Sequence, residues 1–350
     1  MEKGVEKSER KSRMRNEVFE LNAQILAAAS VVGKKEREGP LGEKFDLCDP
    51  QDRFGQKTWE GAESEMQRLA FNSVLAKAAV RDTDVEALFA GDLLNQCVGS
   101  SYGLLDFNVP YFGLYGACST SAEGLLLAAS LVTGGLCRLC GVVTSSHYCS
   151  AERQYRTPLE YGGQRPPTAQ WTVTAAGAFL IQAPAAGDGS ARALLRRGMP
   201  GIVVDKGVSD PNNMGAAMAP AALDTLMRFF RATGTSPADY DRIVTGDLGY
   251  EGGKLLCELM RLEGYEIEDR YDDCGRMIYF RNEQDVHGGG SGCGCAASVL
   301  AAELLPRLLR SDGMRRILFL PTGAMMSPDS IKQGQSIPAV SHLLEIVGAY

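Results

Sequence analysis

The chain reads as an α/β protein built from two duplicated halves that enclose one site. Three observations predict this. Its 350 residues, 45% of them hydrophobic, suffice for one large domain or two fused ones around a sizeable core. Two stretches, DTDVEALFAGDL at 82–93 and PADYDRIVTGDL at 237–248, superimpose without a gap. Each is followed by a glycine turn, a helix apolar on nearly every face, and a strand. Helices that are apolar all round do not belong on a surface. The two are therefore expected to meet between two sheets, one per half, with helices on both faces of each sheet.

Taken in order, residues 1–16 are polar and expected to be a disordered charged tail. Two halves follow, 17–200 and 201–350. Residues 17–32 mix helix and strand signals. Residues 33–59, rich in Gly, Pro, Asp and Lys, read as an extended loop region. Residues 60–79 have helical periodicity, and 85–90 form a short buried strand ending in Gly91-Asp92-Leu93. In the first half Cys118 leads into the buried helix, and 139–144 is the next strand. The second half repeats the order with a helix at 222–233 and a strand at 240–245 ending in Gly246-Asp247-Leu248. Gly292-Cys293-Gly294-Cys295 then leads into a helix at 296–310, and 317–321 is a strand.

Composition excludes several function classes. A net charge of −7 gives no general reason for nucleic-acid binding. The longest apolar runs are too short to span a bilayer, and the charged N-terminus is no signal peptide. The ten cysteines are scattered through helical and strand-like runs rather than set out as a disulfide framework, which predicts a reducing intracellular compartment. Cys293-x-Cys295 with Cys274 lacks zinc-site spacing, so no metal is expected. The glycine run 288–292 lacks the Lys-Ser/Thr ending of a phosphate loop.

The candidate chemistry centres on Cys118. Thr120 and Glu123 have capping-box spacing, which starts the helix near Ser121 and leaves Cys118 at its open N-terminus. That position favours a thiolate or a bound carboxylate, so it supports either a nucleophile or an anion pocket. His147, ending the strand after that helix, can be a base, a carboxylate donor or a capped loop residue. His287 precedes bare glycine backbone that a ligand could approach closely, with Ser291 in the same run; His342 lacks such a context and reads as structural. Residues 151–166 carry three arginines (Arg153, Arg156, Arg165) and two tyrosines (Tyr155, Tyr161). Arginine forks bind carboxylates and tyrosine stacks on flat rings, although a solvated loop or a subunit contact would look the same.

Nine motifs resemble the stage V sporulation protein AD family, thiolase-like proteins of spore-forming bacteria. They are GPLG (39–42), AGDLLNQ (90–96), GLYGACST (113–120), TSSHY (144–148), AERQYR (151–156), EYGGQRPPTAQWTVT (160–174), DPNNMGAAMAPAA (210–222), TGDLG (245–249) and DVHGGGSGCGCAAS (285–298). The resemblance runs from about residue 31 to the C-terminus. It implies the thiolase-like five-layered α/β/α/β/α fold. It also implies binding of dipicolinic acid, alone or as its calcium chelate, and help in moving it across the inner spore membrane during sporulation and germination. The partners implied are the other membrane proteins of the same operon. Thiolase-like folds commonly dimerise, which leaves a homodimer open. No cofactor is expected beyond calcium entering with the ligand. The ligand set expected on this basis is Cys118, His147, Arg153, Tyr155, Arg165, His287 and Ser291.

The enzymes of the wider family point the other way. Cys118 matches their nucleophile. Condensing enzymes resembling ketoacyl synthase III carry a histidine after the second-half strand, where this chain has Thr245-Gly246-Asp247. Their asparagine before the last buried helix would fall at 291–293, where none is present, and the Gly-His-Pro of thiolases is replaced by Gly292-Cys293-Gly294. A Claisen-type reaction needs proton transfer and an oxyanion site as well as a thiol. The expectation is therefore a binding protein on an enzyme scaffold. The rivals are an acyltransferase using Cys118 and His147, with His287 as a further candidate, and a scaffold that docks to membrane partners.

Overall fold

A computed structural model describes residues 17–155, 165–184, 192–310 and 313–349. The expected tail 1–16, Arg156 and Tyr161 lie outside the described residues.

The duplication is visible in strand order. From its outer edge inward, the first set of strands is Tyr111–Leu114, Ala87–Gly91, Leu139–Ser146, Ala175–Gln182 and Phe19–Val32. The second set is Tyr271–Asp273, Arg242–Thr245, Arg316–Leu320, Leu343–Ala349 and Arg192–Met199. In both sets the first three strands are parallel and the last two join antiparallel. Arg192–Met199 thus holds in the second set the place of Phe19–Val32 in the first. The expectation of two separate sheets needs correcting. Phe19–Val32 pairs antiparallel with Arg192–Met199, so the two sets join edge to edge in one continuous sheet.

Alternation along the strands sorts side chains into three cores. Ala87 and Phe89 face inward with Ile317 and Phe319, onto the buried helices Thr120–Thr133 and Cys293–Val299. Leu88 and Ala90 face outward onto helix Trp59–Ala78. Leu318 and Leu320 face outward onto helices Met214–Thr233 and Gly249–Leu262. Three cores between five layers make the thiolase-like α/β/α/β/α arrangement, with the two apolar helices in the middle layer.

Several elements differ from their sequence reading. Residues 17–32, ambiguous in sequence, form the long strand Phe19–Val32 because partners are present on both sides. The helix expected at 222–233 begins earlier, at Met214, and runs through Pro220. Gly215 lies so near Gly252 that helices Met214–Thr233 and Gly249–Leu262 cross in close contact. The helix expected at 296–310 starts at Cys293 and widens into a π turn over Leu300–Leu304 before Pro306, whose missing N–H cannot continue the α-helical ladder.

A buried acid sits beside the sheet at Glu36. Its Oε1 accepts hydrogen bonds from the Thr174 N–H, at 3.0 Å, and from the Tyr279 hydroxyl, while Oε2 is buried without a partner. Burial pushes this carboxyl up to about 7 against those two hydrogen bonds. The folded state therefore holds a proton that the unfolded chain releases near 4.5. Stability from this group is complete below about 4.5 and is lost as pH rises through about 7. Glutamine mimics the protonated form. Glu36→Gln is expected to match the wild type near pH 4.5 and to exceed it at pH 8 by on the order of 3 kcal/mol. Thermal unfolding across that range checks this; parallel curves for the two proteins would refute it.

Candidate functional site

Loops from both halves converge beneath Cys118. Gly116 closes the strand Tyr111–Leu114, and Ala117 follows with φ +50, a left-handed conformation that L residues adopt at a cost of about 1–2 kcal/mol. This places Cys118 in the short 3-10 turn Ala117–Ser119, buried just ahead of helix Thr120–Thr133. The expected capping box is not formed. Thr120 is itself the first helical residue; its hydroxyl donates to the Ala117 carbonyl at 2.6 Å and accepts from the Gly116 N–H at 3.1 Å.

The second half supplies the opposite wall. Gly292, at φ +116, has its N–H bonded to Asp247 Oδ1 at 3.0 Å. Cys293 Sγ donates to the Ala117 carbonyl at 3.0 Å, tying the N-terminus of the second buried helix to the cysteine turn of the first. Gly323, in the strand Thr322–Ala324, lies against the Gly116 carbonyl with no room for a β-carbon.

Together these walls enclose a cavity of about 310 Å³, at the small end of small-molecule sites. Of the expected ligand set, Cys118, Tyr155 and Ser291 line it. Glu152, Thr172, Asn212, Met214 and Met326 contribute further to its wall. Tyr155 donates its hydroxyl to the Leu93 carbonyl at 2.7 Å, and Thr172 donates to Glu152 Oε1 at 3.0 Å.

The other four expected residues stand elsewhere, each for a physical reason. His147 is buried with both ring nitrogens engaged. Nδ1 accepts from the Cys149 N–H at 3.2 Å, so Nε2 carries the proton and donates to the Asp52 carbonyl at 2.8 Å. Burial lowers its basicity, and Trp59 packs beside it at 5.4 Å between ring centroids. Arg153 points outward to an ion pair with Glu60. Residues 148–155 are a helix rather than a loop, so Glu152 and Tyr155, three apart, face the cavity while Arg153 does not. Arg165 bonds the Asp285 carboxylate at 2.8 Å, and His287 lies between Asp285 and the Pro166 carbonyl. His342, read as structural, is pulled down to about 4 by burial and accepts from the Gly201 N–H.

The electrostatics around Cys118 oppose a thiolate. Burial pushes its thiol well up and the nearby Asp247 carboxyl adds to this, outweighing the N–H groups of Gly292 and of Cys118 itself. Asp247 is also driven toward its neutral form, first by burial and then by Asp273. Cys293 is raised by burial and by Cys118. The loss of water thus outweighs the helix N-terminus from which a thiolate was expected. Sequence reasoning passed over Asp247 and Glu152. The first had a signal in the repeated Gly-Asp-Leu, whose earlier copy, Asp92, is likewise fully buried. The second was hidden among the arginines of AERQYR.

The family described as Stage V sporulation protein AD (SpoVAD) matches residues 13–347. The chain belongs to the stage V sporulation protein AD family. Stage V sporulation protein AD of Bacillus subtilis (strain 168) is 40% identical over 326 residues, 93% of this chain and 94% of the relative. Among solved structures, cerulenin-bound OleA of Xanthomonas campestris is similar at a TM-score of 0.58 and 15% identity, over 95% of this chain and 98% of that one. AbyA1, a tetronic acid condensing enzyme, is similar at 0.57 and 16%, over 93% and 100%. At these identities the likeness is one of fold, and this member of the sporulation family has a thiolase-like architecture.

A protonated Cys118 thiol should be a poor nucleophile. Brief iodoacetamide treatment at pH 7, followed by peptide mapping, is expected to label exposed Cys48 at least about tenfold faster than Cys118. Labelling of Cys118 as fast as Cys48 would mean an activated thiolate.

Proposed function

We propose that the cavity at Cys118 binds dipicolinic acid as its calcium chelate, and that the protein carries or presents this ligand without chemically altering it. The observation that carries this reading is the charge of the wall: among the described residues it holds one carboxylate, Glu152, and no lysine, arginine or histidine. A free dicarboxylate dianion would meet no cation among the described residues of that wall. A one-to-one calcium chelate is neutral, and calcium accepts further oxygen ligands, which Glu152 and the hydroxyls of Thr172 and Ser291 can supply. Met214 and Met326 offer polarisable surface to a flat ring.

The groups beside the thiol support binding over catalysis. Asp247, Cys293 and Tyr155 are all shifted toward their protonated forms, so none is a ready proton acceptor near neutral pH. Family membership assigns the work to sporulation, and we place it at the inner spore membrane, acting with membrane proteins of the same operon. Among the described residues no helix is long and apolar enough to cross a membrane.

One observation favours a second reading, acyl transfer through Cys118. The left-handed Ala117 holds the thiol in a sharp turn at a helix N-terminus, the kind of strain that active sites store. Intact mass after incubation with acyl-CoA decides between the two: a stable adduct on Cys118 supports transfer, and an unchanged mass supports binding.

Calorimetric titration tests the first reading directly. Calcium dipicolinate is expected to saturate near one per chain, and dipicolinate with EDTA to bind at least about tenfold more weakly, roughly 1.4 kcal/mol. Glu152→Gln should weaken the chelate by a similar factor and narrow the difference between the two ligands. Equal affinity with and without calcium, or no binding at all, would overturn the proposal.

A further inference from the structure

Trp171 and Thr172 form a two-residue strand paired with Gly290 and Ser291. Thr172 lines the Cys118 cavity, and successive strand residues point to opposite sides, so Trp171 faces away from it. On that far side, Tyr148 stacks flat on one face of the indole, with centroids 3.9 Å apart and planes at 12°. The other face carries two cations. Lys35 Nζ stands 3.8 Å from the ring centroid and Arg165 Cζ 4.8 Å. With Tyr148 filling one face, both cations share the remaining one and are therefore close neighbours.

These charges are only partly compensated. Arg165 directs Nη2 to the Asp285 carbonyl at 2.6 Å and to its Oδ2 at 2.8 Å, but Nη1 is buried without a hydrogen-bond partner. Asp285 is also shared with His287 Nε2, at 2.9 Å from its other oxygen. The Lys35 ammonium makes no hydrogen bond or ion pair among the described residues. Glu36, the acid next to it in sequence, is pushed up to about 7 by burial and so carries only part of its charge near neutral pH, and Glu38 is paired with Lys34. Burial and then repulsion from Arg165 lower Lys35, against the weaker opposing pull of Glu36, Asp285 and Glu38. Two like charges over one ring, one ammonium without a bonded partner and one guanidinium with an idle N–H, share a single carboxylate, Asp285, and have capacity for a further anion.

We propose that the face of Trp171 opposite Tyr148 is an oxyanion-binding site in which Lys35 and Arg165 together clamp one carboxylate or phosphate group. The group would bridge Lys35 Nζ and Arg165 Nη1 while the indole supports both cations from below. Such a group can come from a free small anion or from a lipid headgroup. The site rests on no property of the Cys118 cavity.

Trp171 is one of only two tryptophans, so a Trp59→Phe background makes its fluorescence a reporter of Lys35 and Arg165. The probes are sodium phosphate, sodium acetate and phosphatidylglycerol vesicles, each titrated at ionic strength held constant with sodium chloride. A saturable change in emission is expected with at least one of them, weakened roughly tenfold or more in Lys35→Gln and largely retained in Lys35→Arg. Saturation by phosphate or acetate assigns a free anion; saturation by vesicles alone assigns a lipid headgroup. Lys35 is a half-exposed side chain, and unchanged thermal unfolding of Lys35→Gln would confirm that its fold is intact. A response that fails to saturate with every probe, or that is identical in Lys35→Gln, would overturn the proposal.

Discussion

The N-terminus of helix Cys293–Val299 lies against the sheet with no space for a side chain at Gly294. A β-carbon there would collide with the Ala175 carbonyl and the Ser146 backbone. One turn further on, Ala297 fills the space above Gly177, and Ala296 lies against Gly246. This close seating draws Gly292 and Cys293 up to the Cys118 turn, where the thiol of Cys293 reaches the Ala117 carbonyl. The cavity, the protonated state of its thiols and the position of Asp247 all follow from it. A larger residue at 294 would lift the helix from both strands and open the site from below.

The same seating removes water, and the electrostatics follow from its removal. A helix N-terminus offers partial positive charge worth a few tenths to about 1 kcal/mol for an exposed anion. Full desolvation of a charge costs several times that. The buried acids of the second half respond alike. Asp273 accepts from the N–H groups of Leu248, Gly249 and Gly275 and is still pushed up to about 7 by burial. Beside it, Asp247 accepts from the Gly292 N–H at 3.0 Å and from the Thr322 backbone, and burial still drives it toward its neutral form. A cavity that carries Glu152 in its wall and is backed by acids and thiols driven toward their neutral forms is suited to a ligand that brings its own charge balance.

The layered fold was legible because duplication leaves a record in sequence. The paired stretches 82–93 and 237–248 each begin with a 3-10 turn, at Asp82–Asp84 and Pro237–Asp239, and each leads into a parallel strand at the same offset. The site was only partly legible. Cys118 and Ser291 could be found because glycine turns mark where backbone from the two halves meets. His147, Arg153, Arg165 and His287 could not be placed, because the direction of a polar side chain depends on partners distant in sequence. His147 is engaged by the backbone of Asp52, and Arg153 by Glu60, neither of which its local sequence announces. Glu152 was missed for the converse reason. A carboxylate between arginines looks solvated until the helix Tyr148–Tyr155 turns it inward.

The strand Trp171–Thr172 stands between the two proposed sites. It has two residues, and their side chains serve opposite sides: Thr172 holds Glu152 in the cavity, while Trp171 supports Lys35 and Arg165 outside it. Its register against Gly290 and Ser291 is bonded from both flanks, by the Trp171 N–H to the Gly289 carbonyl and by the Val173 N–H to the Ser291 carbonyl, at 2.8 and 2.9 Å. A shift in that short ladder cannot move one side chain without the other. An anion seated on the Trp171 face would therefore stiffen the strand that positions Thr172 and Ser291 in the cavity wall. Such coupling needs no long pathway, because a single pair of adjacent peptide units spans both sites.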